Sequence, residues 1–181
     1  MDRYTRALSD GRSLLIREAQ PGDALSLLHH IANVGGESEF LTFGPGEFTP
    51  TVEEEEAILA SFRDAHNQIY LIGLINDGIV GHLSFSAGRR PRVQHSGEFS
   101  ISVRKTFWGL GIGSHLIDTM IDWAKRNGIV KKINLRVRTD NHRAIALYLH
   151  KGFVVEGTIT REIFHKGLFR DHYAMGLAVG D

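Results

Sequence analysis

Apolar positions along this 181-residue chain change their spacing, and each change marks an element. In Glu98–Val103 (EFSISV), Phe99, Ile101 and Val103 alternate with Glu98, Ser100 and Ser102, the two-residue period of a strand with one apolar face. Soon after, Leu116, Ile117, Met120, Ile121 and Ala124 recur at spacings of one, three and four, an amphipathic helix that stops at Asn127-Gly128. Upstream, Ser13–Glu18 reads as a short strand, and Pro21-Gly22-Asp23 opens a helix carrying Leu25, Leu28 and Ile31 on one face and ending at Gly35-Gly36. Residues 35–50 (GGESEFLTFGPGEFTP) are longer than a typical connection, which makes them either a binding loop or a poorly ordered one. Thr51-x-x-Glu54 is a capping box for the next helix, and Glu53–Glu56 fall in its first turn, where the helix dipole favours negative charge. That acidic run is read as structural.

Ile69–Ile75 and Ile79–Phe85 form a hairpin around Asn76-Asp77-Gly78, and Arg89–His95 is a loop. Lys132–Thr139 is a strand with Ile133, Leu135 and Val137 on one face, and Asp140 or Asn141 caps a helix ending at Gly152. Phe153–Phe164 and Phe169–Ala178 are two long strands around Lys166-Gly167. The order β-α-α-β-β-β-α-β-α-β-β predicts a mixed sheet with helices on its faces, with no internal repeat.

Between the alternating strand and its helix lies Trp108–Ser114, WGLGIGS. Glycines there let the backbone approach a ligand and leave N–H groups free, and the helix start adds unpaired donors and partial positive charge, so a pyrophosphate fits. No Lys follows Gly113, against a P-loop, and G-x-G-x-G past mid-chain is not the dinucleotide fingerprint. A tight connection without a ligand remains the other reading of this turn.

Composition narrows the classes. Hydrophobic residues make up 42% and charged ones 23%, as in an ordinary globular chain, so a single domain over 1–181 is expected. Lys plus Arg equals Asp plus Glu at 21 each, so net charge gives no case for nucleic acid or membrane as a partner. There is no cysteine, which removes disulfides, thiolate metal sites and cysteine nucleophiles. The opening MDRYTRALSDGR has no apolar core for a signal peptide, and a cytoplasmic protein is expected.

Trp108–Ser114 followed some thirty residues on by Asn141–Phe153 (NHRAIALYLHKGF) resembles the GNAT superfamily of acetyl-CoA-dependent N-acetyltransferases. The likeness extends over nearly the whole chain through its element order. Gly167–Asp171 (GLFRD) with Met175 is similar to the final hairpin of the ribosomal-protein and polyamine acetyltransferase branch. Trp108 stands where the family usually has Gln or Arg. The resemblance implies an α/β (α+β) fold, a mostly antiparallel sheet of about seven strands with about four helices. It also implies a splay between the fourth and fifth strands, those of Glu98–Val103 and Lys132–Thr139.

By the same resemblance, acetyl-CoA is the cosubstrate. It would lie against Ile101, Ser102, Val103, Trp108, Gly109, Leu110, Gly111, Ile112, Gly113 and Ser114, with Asn141, Ala144 and Tyr148 on the next helix. Tyr148 takes the position that protonates a departing thiolate in many relatives, although a tyrosine at this spacing also reads as core. Attack requires a neutral amine, and amines with a pKa near 10.4 are charged at pH 7, so a base is needed. Glu98 is the candidate; a plain surface carboxylate is its other reading, and His82 and His95 are alternative bases. Residues 35–50, through Glu37, Glu39, Phe40 and Glu47, are expected to cover the amine side, with Glu37, Phe40 and Glu98 touching the acceptor. No metal site is read from the ten histidines.

The implied activity is transfer of acetyl to a primary amine, a small or polyamine-like molecule, by direct attack in a ternary complex. A protein N-terminus or lysine is the alternative acceptor. A module that binds coenzyme A without turnover is the alternative of another class. A homodimer is a further expectation carried from the family.

Overall fold

A computed structural model of the chain describes residues 4–180; Met1–Arg3 of the opening stretch and Asp181, the ends of the expected 1–181 domain, lie outside the described residues. Eight strands form one sheet: β1 (Tyr4–Ala7), β2 (Ser13–Glu18), β3 (Gln68–Ile75), β4 (Gly78–Ala87), β5 (Ser96–Val103), β6 (Lys132–Arg138), β7 (Val154–His165) and β8 (Leu168–Ala178). Their order is β1-β2-β3-β4-β5-β6-β8-β7, and β5 with β6 is the parallel pair in an otherwise antiparallel sheet. Four helices accompany it: α1 (Ala24–Glu37), α2 (Val52–Asp64), α3 (Ile112–Asn127) and α4 (His142–His150). The strand beyond the expected seven is β1, an edge strand paired only to β2. Its sequence YTRA has no apolar alternation because Thr5, Arg6 and Ala7 are exposed.

Alternation decides which helix covers which side. Ile133, Leu135, Val137 and Phe99 point one way and are buried with Leu116, Ile117, Met120 and Ala124 of α3. Leu116, Ile117 and Met120 have no exposed surface, and burying each contributes roughly 1.5–3 kcal/mol. Tyr70, Ile72 and Leu74 of β3 point the other way and meet Ala24, Leu27 and Ile31 of α1 and Leu59 of α2. The capping box forms as expected: Glu54 N donates to Thr51 Oγ1 at 3.1 Å, and Thr51 N donates to Glu54 Oε2 at 2.8 Å. Of the acidic run, Glu55 is buried, and loss of hydration pushes its carboxyl up.

Helix α1 differs from the expectation in two respects. Its buried stripe is Ala24, Leu27, Ile31 and Val34, leaving Leu25 53% exposed. It also runs through Gly35-Gly36 to Glu37. A side chain at Gly35 would begin 3.1 Å from the Phe43 ring and 3.2 Å from Gly44 O, so this glycine admits the following loop instead of stopping the helix.

Candidate active site

The parallel pair begins as a ladder and stops after three partners: Ser96 with Lys132, Gly97 with Ile133, and Glu98 with Asn134. Asn134 Nδ2 fastens this closed end, donating to Ser96 Oγ and Gly97 O at 3.0 Å each. Beyond Glu98 the two strands diverge, while β5 stays paired with β4 as far as Val103. The backbone edge of β5 from Phe99 on therefore faces a cleft of about 1100 Å³.

One end of the cleft is backbone. After β5, a 3-10 turn at Lys105–Phe107 leads to Gly109 (φ +89) and Gly111 (φ +83), both left-handed, a conformation open to glycine at little cost. Gly111 is the N-cap of α3, and no side chain caps this helix. The first intrahelical bond is His115 N to Gly111 O, so the amides before it lack helical acceptors. Apart from its chain neighbours, no atom of the described residues lies within 4 Å of where a side chain at Gly109 would start, and at Gly111 the His115 ring alone among them lies within that range. An uncapped 16-residue helix opening on free space suits a phosphate group. The Trp108 indole N–H donates to Val103 O at 2.7 Å, and the Arg143 guanidinium lies 5.2 Å from its ring.

The walls carry the expected side chains. Tyr148 of α4 is 7% exposed, edge-on to Phe99 at 5.8 Å and Phe153 at 6.0 Å between ring centres. Burial pushes its phenol up to about 12, so it holds its proton at neutral pH. Asn141 caps α4, its Oδ1 accepting from Ala144 N at 3.2 Å. Across the gap, Glu98 is half-exposed, with Arg136 Nε 3.5 Å from its Oε2. Of the expected contact residues, all but Leu110 line the cleft; Leu110 packs against the core.

The polar wall around Glu98 was not singled out in the sequence. Glu98 shares a sheet face with Asn134, Arg136 and Arg138, and with His172, which pairs with Arg138 across β8. Glu162 of β7 accepts from Arg136 NH1 at 2.6 Å. Arg138 is 4% exposed: it donates to both Asp140 oxygens and to Glu39 O, with the Phe40 ring 4.8 Å away. Arg138 thus pins residues 38–43 over the cleft. The signal for these residues was present: Lys132, Asn134, Arg136 and Arg138 make a polar face on a strand with neighbours on both sides.

Three carboxylates expected on the amine side are already engaged. Glu37 accepts from Arg104 Nε at 2.8 Å and Lys105 N at 2.7 Å. Partial burial pushes its carboxyl up, but these donors outweigh that and hold it low. Glu47 accepts from Gly44 N, and Glu39 pairs with Lys166. His95 is exposed and outside the cleft lining.

His82 lines the cleft and ends a hydrogen-bond chain. His30 Nδ1 is 3.3 Å from Ile79 O, which only accepts, so Nδ1 carries the proton and Nε2 accepts from Ser102 Oγ at 3.0 Å. Ser102 Oγ must then accept from His82 Nδ1 at 3.1 Å, which leaves His82 Nε2 the unprotonated nitrogen. Burial pushes His30 to about 4 and His82 to about 3, and both imidazoles are neutral at pH 7.

The profile of the acetyltransferase (GNAT) family matches residues 37–153, the span from the end of α1 through α4. The chain belongs to this family. A GNAT-family acetyltransferase from Streptococcus pneumoniae superposes with a TM-score of 0.89 at 37% identity, covering 92% of this chain and 99% of that one. The L-amino acid N-acetyltransferase AaaT of Escherichia coli is 34% identical over 58% of this chain and 65% of its own length. The N-alpha-acetyltransferase RimI of Mycobacterium tuberculosis is 35% identical over 64% of this chain and 69% of its own. The splay, the glycine turn and α4 all fall inside the family match. Among the described residues, no three His, Asp or Glu side chains are grouped to hold a metal, and no helix is long and apolar enough to cross a membrane.

Proposed function

We propose that this GNAT member transfers the acetyl group of acetyl-CoA to a primary amine by direct attack in a ternary complex. The observation that carries the reading is the interrupted β5/β6 ladder: it opens a cleft with the uncapped α3 N-terminus at one end and Glu98 and Tyr148 on its walls. The amides of Gly111 to Ser114 would receive the pyrophosphate, and the freed edge of β5 at Phe99–Val103 the pantetheine amides. Acetyl-CoA supplies the acetyl group as a thioester. One C–N bond forms and one C–S bond breaks, the amine gives up one proton, and the sulfur gains one.

Glu98, half-exposed beside the gap, takes the amine's proton directly or through a water. Tyr148, held protonated by burial, gives its phenolic proton to the departing thiolate. Glu37, both of whose oxygens accept bonds from the segment before the glycine turn, serves to position that segment rather than the amine. Phe40, resting on Arg138, forms a wall of the acceptor end.

The test is calorimetric titration with acetyl-CoA followed by thiol-release assays over a panel of amino acids, alkylamines, polyamines and peptides. Binding with amine-dependent release of free thiol supports transfer. Binding without release for any acceptor leaves a coenzyme-binding module, and absence of binding overturns the reading.

A further inference from the structure

The acceptor end holds an ion pair with unused bonding capacity, and that capacity selects among amines. Glu98 accepts no hydrogen bond among the described residues; its one charged neighbour is Arg136 Nε at 3.5 Å. Arg136 gives NH1 to Glu162, and its NH2 has no acceptor among the described residues. His172, 5% exposed on the same face, lines the cleft and has a buried Nδ1 without a partner. Arg138, by contrast, already gives three of its five N–H groups to Asp140 and Glu39 O.

We infer, resting on the acetyl-transfer reading, that the acceptor is an α-amino acid with a free carboxylate: Glu98 takes its ammonium, and Arg136, flanked by His172, takes its carboxylate. An α-amino acid carries its two charges one carbon apart, and a carboxylate and guanidinium side by side present the complementary pair at matching separation. Charge counting excludes the polyamine class. Glu37 is matched by Arg104, and Glu98, Glu162 and Asp140 are matched by Arg136, Arg138 and Arg170, so this end carries no net charge and suits a zwitterion rather than a polycation. A second ammonium along a polyamine chain meets Arg136 and Arg138 instead. Phe40, resting on Arg138, lines the cleft together with Leu41 and Phe43, and this lining suits an apolar side chain.

The experiment uses the full chain loaded with coenzyme A, titrated calorimetrically with L-leucine, L-leucinamide, 3-methylbutylamine and spermidine, with L-phenylalanine and phenethylamine as a second pair. Acetylation rates of the same compounds are compared per neutral amine. Free amino acids should bind at least about tenfold tighter than their amide and decarboxylated counterparts, the scale of a charge-assisted bond. Arg136→Met should bring that ratio to about one, and Arg136→Lys should restore part of it. Arg136 is half-exposed, so both variants are expected to fold. Leucinamide, an alkylamine or spermidine binding as tightly as the amino acids overturns the inference even if all are acetylated. Amino acids that bind selectively but are not acetylated keep the recognition site for a free α-amino acid and sink the acetyl-transfer reading, and with it the role of acceptor.

Discussion

At the end of the cleft proposed to receive coenzyme A, the lining is the glycine turn and the first residues of α3; at the proposed acceptor end it is side chains brought from β5, β6, β7, β8 and residues 38–43. The first end depends on conformations that only a few residue types adopt, since Gly109 and Gly111 have φ near +85°. The second depends on strand pairing, which sets Glu98, Arg136, Arg138 and His172 on one face from positions up to 74 residues apart. The proposed coenzyme contacts therefore depend on single backbone positions, whereas the proposed acceptor contacts depend on side chains, of which Glu98 and Arg136 are half-exposed.

The largest effect should come from Gly111→Asp. It forces a side chain into a left-handed position and sets a carboxylate where a pyrophosphate is expected, so acetyl-CoA affinity should fall by about a hundredfold or more, with roughly 1–2 kcal/mol of stability lost. Calorimetry reads the first and urea denaturation the second. Retained affinity would mean that the coenzyme does not use this turn.

Next in size are the wall residues. Glu98→Gln should lower kcat by about a hundredfold to ten-thousandfold and remove the corresponding limb of the pH–rate profile, because an amide cannot take the amine's proton. Tyr148→Phe preserves the ring packing against Phe99 and Phe153, so a fall in kcat with unchanged thermal stability would assign the loss to the phenolic proton. A Phe variant with full turnover would return Tyr148 to the core.

These expectations also mark what could be read from the sequence. The strand, turn and helix around Gly111 were legible because their signal is local: an alternating strand, a glycine turn and an amphipathic helix are contiguous, and each has a distinct period. Strand Tyr4–Ala7 was not, since an exposed edge strand carries no apolar alternation. The Gly35-Gly36 pair misled because the sequence gives no sign that Phe43 and Gly44 fold back onto it. Glu37 reads as an acceptor carboxylate until Arg104 and Lys105, 67 and 68 residues away, are seen to hold it. Arg136, Arg138, Glu162 and His172 were passed over for a related reason: their chemistry exists only once β6, β7 and β8 are adjacent.

A pH experiment separates the polar floor near His82 from both ends. His30 and His82 are neutral in the fold, at about 4 and about 3, whereas in the unfolded chain each takes up a proton below about pH 6.5. The unfolded state then binds more protons, so stability is intact above pH 6.5 and is lost as the pH falls toward 4. For His30 alone the loss is on the order of 3 kcal/mol. His82→Asn, whose amide N–H can replace Nδ1 as donor to Ser102, should flatten part of this acid limb in urea titrations at pH 7.5 and pH 5. An unchanged limb would place the acid sensitivity elsewhere.

The smallest effects contrast two glutamates two residues apart. Glu37→Gln removes one acceptor from a partly buried site shared by Arg104 Nε and Lys105 N, so it should cost about 1–2 kcal/mol and raise the KM for acetyl-CoA by loosening the segment before the glycine turn. Glu39→Gln weakens only the exposed pair with Lys166, and the anchoring of residues 38–43 survives because Arg138 bonds the Glu39 carbonyl, which the substitution leaves in place. Its Tm should match that of the unaltered chain within error. If Glu39→Gln instead lowers Tm as much as Glu37→Gln, then the loop over the acceptor end is held by its side chains and not by Arg138, and the division between a backbone-built end and a side-chain-built end shifts by one element.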